Sequence, residues 1–148
     1  MRSAVNAMPK RLMMLIAALA VCGIAVSSVS LERHYATSKT QFCDVGETFN
    51  CDIVNRSEYS KLFGIPVALI GMLGYGLIAG LATEYRSRAE TPARLFALAV
   101  AGLAFALYLT YIEGFVIGVW CILCLCSLAM IASITLLAAI VWRKQLVD

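Results

Sequence analysis

Long runs without a charged residue constrain this chain more than any other feature of its sequence. Four such runs, all predominantly apolar, are long enough for a helix to cross a bilayer, which takes about 20 residues. A soluble domain of 148 residues, 61% hydrophobic and 14% charged, could not bury so much apolar surface. Disorder is excluded because there is ample apolar material to bury. The runs predict an integral membrane protein with spans at about residues 12–31, 64–83, 95–113 and 120–142.

The positions of Lys and Arg predict the orientation of these spans. Basic residues concentrate in short cytoplasmic segments of membrane proteins. The N-terminus, the loop at 84–94 and the C-terminus share one side, and they carry most of the basic residues: Arg2, Lys10, Arg11, Arg86, Arg88, Arg94, Arg143 and Lys144. The other side carries Arg33, Lys39, Arg56 and Lys61. We therefore expect a multi-pass protein of the inner (plasma) membrane with both termini cytoplasmic. The net charge is only +3, and the Lys and Arg residues form no basic stripe, so no nucleic-acid partner is expected.

The predicted fold is all-α: a single domain over residues 1–148 that forms a four-transmembrane-helix bundle. The segment 32–61 would face the periplasm or exterior, and it is too long for a simple connector. Asp52 as N-cap predicts a short helix within 52–62 that lies over the bundle as a capping helix. Pro66 suits the first turn of the second span, and residues 114–119 would form the turn before the fourth.

An alternative for the first span stays open. Its basic N-terminal flank, apolar core and small residues at 25–28 are also typical of a secretory signal peptide. The apolar run is long for one, however, and no clean A-x-A cleavage site follows it. The topology downstream would be the same in either case.

Four of the six cysteines fall on the predicted outer side. Cys43 and Cys51 lie in the 32–61 loop, whereas Cys121 and Cys124 form a C-x-x-C at the start of the fourth span. A helix N-terminus stabilises a thiolate, and a thiolate attacks a disulfide through a mixed disulfide. This pattern predicts an electron relay from external thiols to the loop pair, then to the helix pair and then to a lipid-soluble acceptor.

Other readings of the cysteines are less specific. Two structural disulfides would brace an extracytoplasmic loop in a non-enzymatic membrane subunit. Zinc fits worse because there is no second C-x-x-C, and a c-type haem needs a His where Leu125 stands. A transporter or channel is not favoured, since no span carries an internal charge. Cys22 and Cys126 are interpreted as small apolar packing residues.

These motifs resemble those of the vitamin K epoxide reductase family, in its bacterial form, over about residues 12–142. The resemblance rests on the order of the two cysteine pairs and on the following stretches: Cys43-Asp44-Val45-Gly46, Cys51-Asp52, Val54, Ser57 and Tyr59, Gly64-Ile65-Pro66, Tyr111-Ile112-Glu113 and Trp120-Cys121-Ile122-Leu123-Cys124.

The resemblance implies a four-helix bundle around a quinone, either ubiquinone or menaquinone, and no metal. Cys43 and Cys51 would be the shuttle pair that takes electrons from a thioredoxin-like (DsbA-like) partner, and Cys51 would exchange with Cys121. Cys124 would lie nearest the quinone, and Ser57 would face it. No fused thioredoxin-like domain follows the bundle, so the partner is expected to act in trans. The activity would support disulfide formation in secreted proteins.

Three further residues carry weaker signals. Leu128 stands four residues after Cys124, where vertebrate members have a tyrosine, so that polar contact to a quinone does not carry over and epoxide reduction is not predicted. Glu113 fits either a proton-transfer group or an interfacial carboxylate facing water. His34, without an obvious partner, is interpreted as a solvated loop histidine.

Overall fold

Five α-helices and two short hairpins make up the main elements of the part of the chain that the structure describes. A computed structural model describes residues 2–38, 42–84 and 90–147, with side chains from residue 8 onward. The helices are α1 (Arg2–Tyr35), α2 (Cys51–Arg56), α3 (Val67–Thr83), α4 (Thr91–Ile112) and α5 (Ile122–Val147). The strands are β1 (Asp44–Val45), β2 (Phe49–Asn50), β3 (Lys61–Leu62) and β4 (Ile65–Pro66).

The long helices form a membrane helical bundle. Three helical segments are long and apolar enough to cross a bilayer, namely Met8–Tyr35, Thr91–Ile117 and Ile122–Val147. Helix α3 is as apolar but has 17 residues, which is about 25 Å at 1.5 Å per residue. Helix α1 extends beyond the predicted span 12–31 at both ends.

The bundle core lies where α1 packs on α3 and α5, and where α4 packs on α5. Its fully buried side chains come from all four long helices and include Ile16, Ile78, Leu95 and Ile134. Because lipid tails are as apolar as these side chains, the helices associate in a membrane through close packing rather than through removal of water.

The segment between α1 and α3 has its own structure. Strands β1 and β2 pair antiparallel, as do β3 and β4, and α2 lies between the two hairpins in the chain. The helix prediction there was wrong in its boundaries. Asn50, not Asp52, is the N-cap of α2, because its side-chain oxygen accepts the Ile53 N–H at 3.1 Å. The helix ends at Arg56 because Ser57 is extended, with φ −68° and ψ 160°.

The turn before the last helix also differs from the prediction. After α4 the chain continues as a π-helical turn over Glu113–Ile117, and Gly118 then takes the left-handed conformation, with φ 75°. Helix α5 begins at Ile122, so Cys121 directly precedes the helix. Of the basic residues that predict the orientation, Lys39, Arg86 and Arg88 lie outside the described residues.

Candidate active site

The loop cysteines are joined by a hairpin. Cys43 precedes β1 and Cys51 follows β2, and the antiparallel pairing of Asp44 with Asn50 brings their backbones together. The two form a disulfide with a Cα–Cα distance of 5.5 Å. Gly46 permits the tight turn because its φ of 74° is one that side chains disfavour. Both cysteines are buried, with 1% and 0% of their surface exposed.

A short parallel pairing joins this hairpin to the start of α5. The Trp120 N–H donates to the Thr48 carbonyl at 2.9 Å, and the Asn50 N–H donates to the Trp120 carbonyl at 3.0 Å. Cys51 and Cys121 each follow one of the paired residues. As a result, Cys43, Cys51 and Cys121 share one buried cluster with Val54, and Cys124 packs against it. The structure thus brings together all four cysteines that the sequence singles out.

The two thiols of the C-x-x-C are not equivalent. Cys121 lies just before α5, and Cys124 lies in its first turn. A hydrogen bond between their side chains lowers the pKa of Cys121, against the opposing effect of burial. A hydrogen bond favours the form of a group that accepts it more strongly, so Cys121 is the better thiolate of the pair. It is also the one in the cluster with the loop disulfide.

Two residues at the centre of the site were not among the predicted site residues. The Asn55 amide donates to the Cys51 carbonyl at 2.9 Å and to the Cys121 sulfur at 3.8 Å. Asn55 is four residues after Cys51, and i, i+4 residues share a helix face, which is the signal that could have found it. The Glu113 carboxylate accepts the Cys121 N–H at 3.2 Å and contacts the Cys124 thiol. With 2% exposed, Glu113 does not face water.

A cavity of about 300 Å³ opens beside Cys124. Ligand pockets are commonly 300–1,000 Å³ and mainly apolar with a few polar groups. The walls here are predominantly apolar and come from α1, α2, α3, α4 and α5; the polar or thiol-bearing residues among them are Ser27, Ser30, Asn55, Tyr75, Cys124 and Ser127. The Tyr75 hydroxyl donates to the Ser127 carbonyl at 2.9 Å and lies 2.8 Å from its hydroxyl oxygen. The cavity therefore offers a reactive thiol and a hydroxyl pair to an apolar ligand.

The remaining predicted residues lie at the margins. Ser57 donates to the Val54 carbonyl at 2.8 Å and lines a second, smaller pocket beside Cys124; its contact with a ligand stays a prediction. The interpretation of His34 as a solvated loop residue was wrong, because it lies in the last turn of α1 and its ring contacts the Asn55 carbonyl and Ser60. Cys22 and Cys126 are exposed on the bundle surface and are not core packing residues.

A sequence model of the vitamin K epoxide reductase family matches residues 14–139. The chain belongs to this family. Membership makes it a membrane thiol oxidoreductase, and the buried cluster of four cysteines agrees with that chemistry. Family members in general depend on quinones. Leu128 is not among the described residues that line the cavity, and the hydroxyls there belong instead to Ser27, Ser30, Tyr75 and Ser127.

Proposed function

We propose that this vitamin K epoxide reductase family member oxidises a thioredoxin-like, DsbA-like partner and passes the electrons to a quinone, in support of disulfide formation outside the cytoplasm. One observation carries the proposal: Cys124 both packs against the cluster that holds the loop disulfide and lines the large cavity. Cys124 therefore lies between the loop disulfide, which would supply electrons, and the cavity, which would hold the electron acceptor.

The cysteine states correspond to one stage of this relay. The loop pair is a disulfide, and Cys121 and Cys124 are thiols. In the relay this is the state after Cys51 has exchanged with Cys121. During that exchange the Cys51 thiolate attacks the helix disulfide, a Cys51–Cys121 bond forms, and Cys124 leaves as a thiolate. Cys43 then attacks Cys51, which frees Cys121 and leaves both electrons on the helix pair.

The cavity residues fit a quinone. A quinone head group is a flat, largely apolar ring with two carbonyl acceptors, and the cavity is apolar with hydroxyl groups at Ser27, Ser30, Tyr75 and Ser127. When bound, ubiquinone or menaquinone supplies a two-electron sink beside Cys124. Asn55 lines the same cavity from α2, so α2 would act as the capping helix over it.

The partner must reach a buried disulfide. Cys43 and Cys51 are almost fully buried, whereas the neighbouring Phe42 and Val45 are 62% and 57% exposed. We infer that the partner acts in trans, docks on these apolar side chains and opens the β1–β2 hairpin. A DsbA-type partner is itself strongly oxidising, near −120 mV, and its reoxidation by a quinone is what keeps a periplasm oxidising.

The proposed arrangement in the inner membrane has four spans. Helix α3 would be the second span, both termini would be cytoplasmic, and the segment from α1 to α3 would lie outside as part of the single domain. Substantially more Lys and Arg residues lie on the terminal side than on the loop side, which supports this orientation.

The decisive experiment is anaerobic quinone reduction by the purified protein in detergent. A reduced DsbA-like protein supplies the electrons, and Cys124→Ala is compared with wild type. We expect quinol from wild type alone. A Cys43→Ala/Cys124→Ala double variant lacks both resolving thiols, so added diamide, which takes up the two electrons and two protons of the Cys51 and Cys121 thiols, should trap the Cys51–Cys121 disulfide. No quinol from wild type, with either this protein or a small dithiol as donor, would contradict the proposal.

The deep burial of Cys43 and Cys51 favours one alternative, a non-enzymatic subunit with a structural disulfide. A buried structural disulfide resists mild reductant, because its potential is low and its sulfurs are inaccessible. The relay instead requires that the reduced partner reduces this disulfide within a catalytic turnover. The rate of its reduction by the partner therefore separates the two functions.

A further inference from the structure

Glu113 is a buried acid that the relay leaves without a role. It is 2% exposed, and isolated buried charges are costly unless hydrogen bonds or counter-charges compensate them. No cation lines the small pocket around Glu113 among the residues the structure describes. Its compensation comes from the Cys121 N–H, at 3.2 Å, and from the Cys124 thiol. A carboxylate is thus held directly against a reacting sulfur.

The chemistry at Cys124 requires a base. Oxidation of a dithiol releases two electrons and two protons, and a thiol must lose its proton before its sulfur reacts, because the thiolate is the nucleophile. Cys121 and Glu113 both accept from the one S–H of Cys124, and a proton passed to Cys121 would only protonate the other sulfur that has to react. The Asn55 amide cannot accept a proton, whereas the Glu113 carboxylate can.

We propose that Glu113 is a catalytic residue that accepts the proton of Cys124 as this thiol reacts. This inference rests on the proposed quinone-linked function. In the step, the S–H bond of Cys124 breaks and an O–H bond forms on Glu113. Cys121 and Cys124 then form a disulfide, and the two electrons that the sulfurs give up would reduce a bound quinone. The dithiol releases two protons and the quinol takes up two from solvent, so the net reaction is proton-neutral.

The small pocket around Glu113 would let this proton pass from the carboxylate to solvent. It has a volume of about 30 Å³, which is room for a water molecule. Glu113 and Cys124 line it together with Ser57, Ser60 and Tyr59. Tyr59 is 48% exposed, so the pocket leads from Glu113 toward the aqueous surface. Glu113 can then return to its carboxylate form after each turnover.

A purely structural role for Glu113 makes a different prediction. Its carboxylate joins the π turn to the start of α5 through the Cys121 N–H, and this bond alone would position the C-x-x-C. Glu113→Gln separates the two roles, since an amide oxygen still accepts the N–H but does not take up a proton. Glu113→Asp keeps the base on a shorter stem, and Glu58→Gln neutralises an exposed acid as a matched control.

The test uses the full chain in detergent, without quinone. The reduced protein is oxidised by diamide, an azodicarboxamide that takes up two electrons and two protons, and disulfide formation between Cys121 and Cys124 is followed by mass spectrometry from pH 6 to 9. The titratable groups that face Glu113 are the thiols of Cys121 and Cys124 and the Tyr59 phenol. Thermal unfolding of each variant shows that it is folded.

We expect wild type and Glu58→Gln to react with a shallow dependence on pH. Glu113→Gln should be at least about 10-fold slower at neutral pH, within the effect of a general base, and its rate should rise steeply with pH as hydroxide replaces the missing base. The oxidation rate of Glu113→Asp should lie between those of wild type and Glu113→Gln.

An unchanged oxidation rate in Glu113→Gln, or a uniform slowing with the wild-type dependence on pH, would overturn the proposal. If Glu113→Gln does not fold, the proposal is overturned when Glu113→Asp has the wild-type oxidation rate at every pH. No quinone is present in this assay, so its outcome does not depend on the proposed quinone reduction, which is tested in the separate quinone assay.

Discussion

At the scale of single residues, the site separates two thiols that a sequence motif presents as alike. Cys121 contacts the loop disulfide cluster, whereas Cys124 lines the cavity and contacts Glu113. A hydrogen bond with Cys124 lowers the pKa of Cys121. In the proposed relay, the residue that exchanges with the loop is thus the one that is stabilised as a thiolate, and the residue beside the acceptor would hold a proton until it reacts.

This asymmetry predicts how the reduced protein titrates. A lowered pKa means that the Cys121 thiolate is present at pH values below about 8.5, the ordinary cysteine value, and is lost as the pH falls through the lowered pKa. The fraction of Cys121 present as thiolate is measured by ultraviolet absorbance, as the difference between wild type and Cys121→Ala at each pH. Cys124→Ala removes the largest cause of the shift, so the thiolate should appear at higher pH. Cys22→Ala, at an exposed site, should leave the titration unchanged; no shift in Cys124→Ala would refute the assignment.

The hydroxyl pair in the cavity yields a second residue-scale prediction. Tyr75→Phe removes the donor to Ser127 and a polar group from the wall of the cavity. A neutral hydrogen bond contributes about 0.5–1.5 kcal/mol, so we expect KM for quinone to rise roughly 2- to 10-fold, with a smaller effect on kcat. Steady-state quinone reduction measures both constants. Tyr108→Phe, on an exposed position of α4, is the matched control, and equal KM values for the two variants would place the head group away from Tyr75.

At the scale of elements, apolar periodicity and cysteine spacing predict the helices and the four clustered cysteines, because both depend on local sequence. The pairing of Thr48 and Asn50 with Trp120 is long-range and has no local signature. For the same reason Asn55 stayed outside the predicted site, and the sequence left Glu113 open between a proton-transfer group and a carboxylate facing water. The N-cap of α2 was misassigned because Asn50 and Asp52 are both good caps and only the observed backbone decides between them.

The contact between the π turn and Trp120 can be tested at this scale. A Cβ on Gly114 would come within 2.7 Å of the Trp120 ring, so Gly114→Ala must displace the residue that pairs with β2 and precedes Cys121. We expect electron transfer from the loop pair to the helix pair to slow at least about 10-fold, since small misplacements at reacting centres are costly. Helical content by circular dichroism should be unchanged.

The control for Gly114→Ala is Gly76→Ala in α3, where an added Cβ meets open space. Transfer between the pairs is measured by rapid mixing with a reduced partner, followed by alkylation and mass spectrometry of each pair. Equal rates in both glycine variants would show that the position of Trp120 does not limit the exchange.

At the scale of the whole molecule, composition suffices to predict a membrane protein because no other environment accommodates this many apolar residues. The lengths of individual spans are less well determined by sequence. Helices in the structure extend past the apolar runs, since a helix need not end where the bilayer does, and α3 falls slightly below the usual 20 residues. The number of membrane crossings therefore depends chiefly on α3.

The side on which the C-terminus lies decides whether α3 crosses. With four spans the two termini share a side, whereas with three they lie on opposite sides of the membrane. Alkaline phosphatase is active only outside the cytoplasm, so a fusion after Val147 should be inactive and an insertion after Thr37, in the exposed segment beyond α1, should be active. A short helix such as α3 can still span by local thinning of the bilayer, and its charge-free sequence permits this. An active fusion at Val147 would instead leave α3 on one face of the membrane, and the cavity that it helps to line would then lie at the interface rather than within the bilayer.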